Sequence, residues 1–222
     1  CGDVFFFFQA EDGIRVLVRS GGLGDVYKRQ ALVSLLGWRG WASCDDRWIA
    51  SHAFVDESRR GGRYIVCASV VLPSELATVR KMMRSQLLSG QARLHFKTEK
   101  PSRRRALLAV IAELNLTTLV CESNRKEADA RRWALGQLLA HLAGVGGQRL
   151  VIEAREASQN LVERQTITAA LTRGRGPAGL SYEHMRPHEE PILWVSDAVA
   201  WAYSAGGDWR RRVTQRVVLD SS

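Results

Sequence analysis

The sequence predicts an α/β domain whose mixed sheet opens with a β-hairpin and is flanked by helices. Three observations predict it. Two apolar runs, Ser51–Asp56 and Tyr64–Leu72, are separated by the basic, glycine-containing turn Arg59–Arg63, which is the pattern of a hairpin. From Pro73 onward, segments with helical spacing alternate with short apolar runs, as in chains that pack helices on a sheet. Near the end, Ile192 to Tyr203 is apolar almost throughout, as expected of a packed helix.

Each element has its own signal. Tyr64 to Leu72 is rich in Val, Ile, Cys and Ala and is stopped by Pro73. Ser74 is placed to cap a helix reaching about Leu88, with Leu76, Val79, Met83 and Leu87 at helical spacing. Arg93 to Phe96 reads as a brief strand, and Pro101-Ser102 opens a helix carrying Leu107, Leu108, Ile111 and Leu114. Leu116–Cys121 reads as a strand, Ala128–Leu142 as a helix closed by Gly144–Gly147, and Arg149–Glu153 as a strand buried on both faces. Asn160–Thr172 is a helix, Arg173–Pro177 a loop and Leu180–Glu183 a last short strand. This order, hairpin, then strand–helix alternation, then a final helix, matches the layout of ribonuclease-H-like folds. Layout by itself does not assign function.

Positions 1–30 read as a leader foreign to the natural domain. The chain opens with Cys1, has no methionine before Met82, and carries four consecutive Phe followed by acidic and Gly-rich residues, a pattern that suits neither helix nor strand. The stretch resembles translated sequencing-adapter read-through, and the chain reads as a fragment or as an open reading frame entered upstream of its true start. It lacks the basic region and apolar length of a signal peptide. Positions 31–50, with Trp38, Trp41 and Trp48, are an uncertain lead-in. The domain is expected to occupy 51–222, ordinary for one core. No apolar run approaches the ~20 residues of a membrane span, so no membrane partner is expected. Cys67 and Cys121 fall in strand-like runs and form no C-x-x-C pair. Buried free thiols and a cytoplasmic location fit best.

The net charge is +9 over 222 residues, and positions 1–30 contribute nothing to it. A basic surface suggests a polyanionic partner. The basic residues are 27 Arg and 5 Lys, however, which is also what codon bias produces.

Three acidic positions are awkward for a chain that only has to fold. Asp56, with Glu57 beside it, ends the first strand run; Glu153 ends Leu150-Val151-Ile152; Asp197 lies inside the apolar stretch Leu193–Trp201. An ionised carboxylate in such surroundings is costly unless paired or bound to a cation. Carboxylates from two strand ends and one helix can converge on a point. Two Mg²⁺ ions held in this way activate water and stabilise the leaving oxygen in nucleases. The plain alternatives are a turn cap for Asp56, an ion pair with Arg155 for Glu153, and a bond to Ser196 or an arginine for Asp197.

Phe54-Val55-Asp56-Glu57-Ser58, then Leu94-His95-Phe96-Lys97, then an Asp in an apolar C-terminal helix, resemble the domain of unknown function 3800 family. That family is regarded as ribonuclease-H-like and is mostly uncharacterised. The resemblance covers about 51–212. It implies that Asp56 and Glu57 are the first-strand acids, Asp197 the helix acid and Glu153 the central-strand acid, with phosphodiester hydrolysis as the activity. Asp is the commoner residue at the Glu153 position, and Arg59 stands where Gly commonly follows Asp-Glu-Ser.

His184 and His188 stand four apart, the spacing of a helical zinc pair. Pro187 makes that geometry unfavourable. This segment reads better as a loop into the last helix, with Glu189 and Glu190 near its positive end. His184 or His188 could then move protons at the metals. His95 and Lys97 flank Phe96, and strand alternation would place both on one face. With Arg103, Arg104 and Arg105 they are the candidate phosphate contacts. A solvated edge and a solvated helix start are the plain alternatives.

The expectation is therefore a Mg²⁺- or Mn²⁺-dependent phosphodiesterase or nuclease acting on nucleic acid. Asp56, Glu153 and Asp197 would bind metal and Glu57 would assist. The alternatives are a catalytically inactive nucleic-acid-binding module, and a protein-interaction domain whose positive charge is compositional.

Overall fold

The computed structural model describes residues 50–213 and 217–221. The leader at positions 1–30 and the lead-in up to residue 49 lie outside the described residues. Strand β1 (Ser51–Arg60) and β2 (Arg63–Val71) form the hairpin, joined at Gly61-Gly62. Both glycines have positive φ, 57° and 76°, the conformation a tight two-residue hairpin turn demands. Then come α1 (Leu76–Arg84), α2 (Pro101–Glu113), β3 (Thr117–Ser123), α3 (Glu127–Gly144) and β4 (Gly147–Glu153). The chain continues through α4 (Ala157–Thr172), β5 (Ser181–Met185), α5 (Leu193–Ala205), α6 (Gly207–Arg211) and β6 (Val217–Ser221).

The six-stranded sheet has the order β5-β4-β1-β2-β3-β6. β1, β2 and β3 form an antiparallel meander, whereas β4 is parallel to β1, β5 to β4 and β6 to β3. This is the mixed sheet expected, built as a hairpin, then strand–helix alternation, then a late helix.

Strand alternation divides the core in two. Phe54, Ile65, Cys67 and Val151 face α1, α2 and α5, while Val55, Val66, Leu150 and Ile152 face α3 and α4. Both faces of the central strands are covered, which explains their near-continuous apolar runs. Cys67 and Cys121 are buried, as expected. Among the described residues no helix is long and apolar enough to cross a membrane.

Three local expectations are corrected. Arg93–Phe96 is not a strand; Phe96–Thr98 is a single 3₁₀ turn. Its backbone is engaged by side chains instead. The Phe96 N–H donates to Asp197 at 2.9 Å, and the Phe96 carbonyl accepts from Arg104 Nε at 2.9 Å. Ser74 caps nothing; it lies inside a 3₁₀ turn, Pro73–Glu75, and α1 starts afterwards and ends at Arg84 rather than near Leu88. Part of the histidine-rich segment is strand, because β5 runs through His184 to Met185, while Glu190 accepts from the Ile192 N–H at 3.1 Å at the entry to α5.

Candidate active site

The parallel register of β1 and β4 ends at Val55 with Ile152. β4 stops one residue later at Glu153, while β1 runs on to Arg60. Asp56 and Glu153 thus come side by side where the sheet opens. Both share the face of Phe54 and Val151, the face covered by α5.

α5 brings the third acid. Ser196 is fully buried and donates to the Phe54 carbonyl at 2.7 Å, and its hydroxyl also lies 2.8 Å from that of Ser69. These bonds press α5 onto β1 and β2. Asp197, the next residue, then reaches the same opening, oriented by the Phe96 N–H. Asp56, Glu153 and Asp197 line one cavity of about 290 Å³.

The electrostatics reflect this crowding. The Asp56 carboxyl is raised well above its ordinary value, first by removal from water, then by a hydrogen bond with Glu153 and by the charges of Glu153 and Asp197. Asp197 is also raised, chiefly by burial, although the Phe96 N–H and the nearby His95 oppose the shift. Like charges so close favour protons or cations among them. On the rim, Arg93 lies 3.8 Å from Glu153, and exposed His95 lines the cavity beside Asp197.

Glu57 points the other way, because neighbouring strand residues face opposite sides. Its carboxylate meets Arg131 and the Tyr64 hydroxyl, and Arg155 at 3.3 Å. Behind it, Arg131 Nε lies 2.6 Å from Glu163, and His184 Nε2 lies 2.9 Å from the other Glu163 oxygen. Burial alone would raise Glu163, but hydrogen bonds from His184 and Arg131 outweigh it and hold its carboxyl below the usual value. Glu57, Arg131 and Arg155 touch the cavity from this side.

The expected site residues therefore separate. Asp56, Glu153, Asp197 and His95 come together, and Glu57 reaches the cavity from the opposite face. His184 is committed to Glu163 and does not line the cavity, and neither does exposed His188. Lys97 is exposed on the 3₁₀ turn, so the expected alternation with His95 is absent. Arg103 pairs with Glu99 at 2.8 Å, Arg104 is bonded to the Phe96 carbonyl, and Arg105 is exposed. Glu153 does not pair with Arg155, which binds Glu57 and Glu127 instead. The sequence reading overlooked Arg131 and Glu163. Neither of their helices carries a clean apolar stripe, so nothing local marked Arg131 or Glu163 as buried.

The oxygen donors of Asp56, Glu153 and Asp197, which line the cavity together with His95, suit a hard divalent cation. Among the described residues no three His, Cys, Asp or Glu side chains stand arranged as a metal-binding group.

No family model matches this chain. No curated protein is significantly similar to it. Among solved structures it is similar to a chain of the PCNA:RNase HII complex from Archaeoglobus fulgidus, with a TM-score of 0.47 and 14% identity over 75% of this chain and 74% of that one.

Proposed function

We propose that this domain is a divalent-cation-dependent phosphodiesterase acting on nucleic acid, related to the domain of unknown function 3800 family. One observation carries the reading: three carboxyls from a strand, a neighbouring strand end and a packed helix line one small cavity. Crowding three partly buried acids together destabilises a fold, so the arrangement makes sense as a place for a cation.

Asp56, Glu153 and Asp197 would hold Mg²⁺ or Mn²⁺, which would neutralise their charge, activate water and stabilise the leaving oxygen. The chain's own residues do the rest. Arg93 on the rim attracts the diester phosphate. Exposed His95, next to the 3₁₀ turn and beside Asp197, is in place to pass a proton to the departing oxygen. It takes the role expected of His184 or His188. Glu57 is a positioning residue, holding Arg131 and Arg155 at the inner wall.

The test is calorimetric titration of the full chain with Mg²⁺ and Mn²⁺, beside the double variant Asp56→Asn, Asp197→Asn. Binding by the parent and none by the folded variant is expected, followed by cation-dependent cleavage of an oligonucleotide. A folded parent that binds neither ion, with or without oligonucleotide, would remove the catalytic reading and leave a binding module.

A further inference from the structure

Four residues beyond Asp56 stands Arg60, and four beyond Asp197 stands Trp201. The Arg60 guanidinium lies over the Trp201 ring, 5.0 Å from its centroid. β1 and α5 bring this about by running side by side in one direction. The Ser196–Phe54 bond ties them at the cavity, and the Ser58 and Ser204 hydroxyls, 3.0 Å apart, tie them further on. Both elements leave the cavity together toward the hairpin tip.

More groups join this row. Arg104 also covers Trp201, at 4.2 Å, while its Nε donates to the Phe96 carbonyl. Trp209 meets Trp201 edge-on, with centroids 5.6 Å apart, and Arg105 lies 5.5 Å over the Trp209 ring. Phe96, whose N–H orients Asp197, packs on Trp201 at 5.3 Å. Three guanidiniums thus rest on two indoles, starting one helical turn from a cavity acid.

Among the described residues none of these three arginines is ion-paired. Their neighbours are: Arg103 binds Glu99 and Arg63 binds Glu122. Arg60 and Arg105 are exposed. For Arg60 and Arg105, stacking on an indole holds the guanidinium plane in place while its N–H edge stays available, and that edge matches a phosphate; Arg104 gives its Nε and Nη2 to the Phe96 and Lys97 carbonyls and steadies Trp201. From Asp56 to Arg60 the strand covers roughly 13 Å, room for a few phosphates at the ~3.4 Å rise per strand of a duplex.

We propose that this row is a track along which the phosphodiester backbone of a nucleic acid runs into the cavity, bound by charge and guanidinium geometry rather than by base sequence. The inference rests on the phosphodiesterase reading and adds to it the surface that holds the substrate. A nucleic acid is favoured over an acidic protein because the track ends at the carboxylate cavity, where a repeating diester would present its next phosphate.

The test is fluorescence-anisotropy binding of labelled DNA and RNA oligonucleotides of mixed sequence between about 50 and 200 mM salt. The proteins are the parent, Arg60→Gln/Arg105→Gln, and Arg164→Gln, which removes an exposed arginine from α4 on the opposite layer. Hydrolysis of bis(p-nitrophenyl) phosphate by the parent with Mg²⁺ is measured alongside and reports the cavity alone. The double variant should bind about tenfold more weakly, with a salt slope lower by about 1.4–1.8 for two lost phosphate contacts. Arg164→Gln should change neither. If the double variant proves unfolded, Arg60→Gln and Arg105→Gln separately should each lower the slope by about half as much. A parent that hydrolyses the small diester and whose oligonucleotide binding is unaltered in the folded variants overturns the track and leaves the cavity reading standing; one that hydrolyses the small diester but binds no oligonucleotide overturns the track and the nucleic-acid substrate, leaving only diester hydrolysis at the cavity. A parent that does neither overturns both.

Discussion

The Asp56 carboxyl stands beside the Glu153 carboxyl in one cavity, one residue beyond the last parallel pair of β1 and β4, Val55 with Ile152. Burial, then the neighbouring acids, makes an ionised Asp56 costly there. Asp56 therefore opposes folding once it ionises, and that cost can be measured.

Asp56→Asn should stabilise the domain at neutral pH in the presence of EDTA. The ordinary Asp56 value is 3.8 and the folded value is raised well above it. Below 3.8 the carboxyl is protonated in both states. Above it the unfolded chain ionises first, so the parent loses stability as pH rises toward the folded value. The variant should lack that slope and melt roughly 2–4 °C higher, the shift that ~1 kcal/mol brings in a chain of this size. It should also lose cation binding. Thermal melts from acid to neutral pH, with EDTA and with Mg²⁺, check both effects. An unchanged pH slope would mean Asp56 does not ionise as described.

Arg131 is 8% exposed and Glu163 3% exposed, and they hold one another between α3 and α4. Arg131→Met should cost about 3–5 kcal/mol, because it strands a buried carboxylate. Arg131→Met with Glu163→Gln should recover part of that loss. Denaturant unfolding of the two variants separates a coupled pair from independent contributions.

The same Glu163 predicts a second pH effect of opposite sign. Its folded value lies below the ordinary 4.5. Its contribution is complete above 4.5 and is lost as pH falls through the folded value. In Glu163→Gln the acid side of the stability profile should be flatter than in the parent, as followed by circular dichroism.

Ser196→Ala should destabilise the fold by about 1–2 kcal/mol, because the fully buried hydroxyl serves the Phe54 carbonyl and Ser69 together. Cation affinity should fall as well, since Ser196 seats the turn of α5 that carries Asp197. Calorimetric unfolding and a Mg²⁺ titration of the same sample read the two losses.

Burial raises the Cys67 thiol well above its ordinary range, and only the thiolate reacts quickly. Native-state alkylation followed by peptide mass mapping should leave Cys67 unmodified until global unfolding. Fast labelling would mean β2 opens on its own.

Much of the architecture was legible because it is written in local periodicity. The hairpin glycines, the strand runs of β2 and β4, and the apolar α5 each carry their own signal, and Asp197 stood out as an acid inside an apolar helix. Other features are not local. Arg93–Phe96 has strand composition, yet its backbone groups are claimed by Asp197 and Arg104, which are distant in sequence or on another element. Glu57 was grouped with Asp56 because they are adjacent, but strand alternation sends them to opposite sides of the sheet. The same alternation turns His184 toward Glu163 and away from the carboxyls.

The sequence by itself determined the α/β class, the opening hairpin and the three acids worth following, because each depends on residue type and spacing within one element. Only the tertiary structure decided which acids share a cavity, that Arg131 and Glu163 support its inner wall, and that Arg60, Arg104 and Arg105 line up on Trp201 and Trp209. Those relations depend on the register of β1 against β4 and on the seating of α5 along β1. Register and seating are set by packing across the whole core rather than by any segment alone.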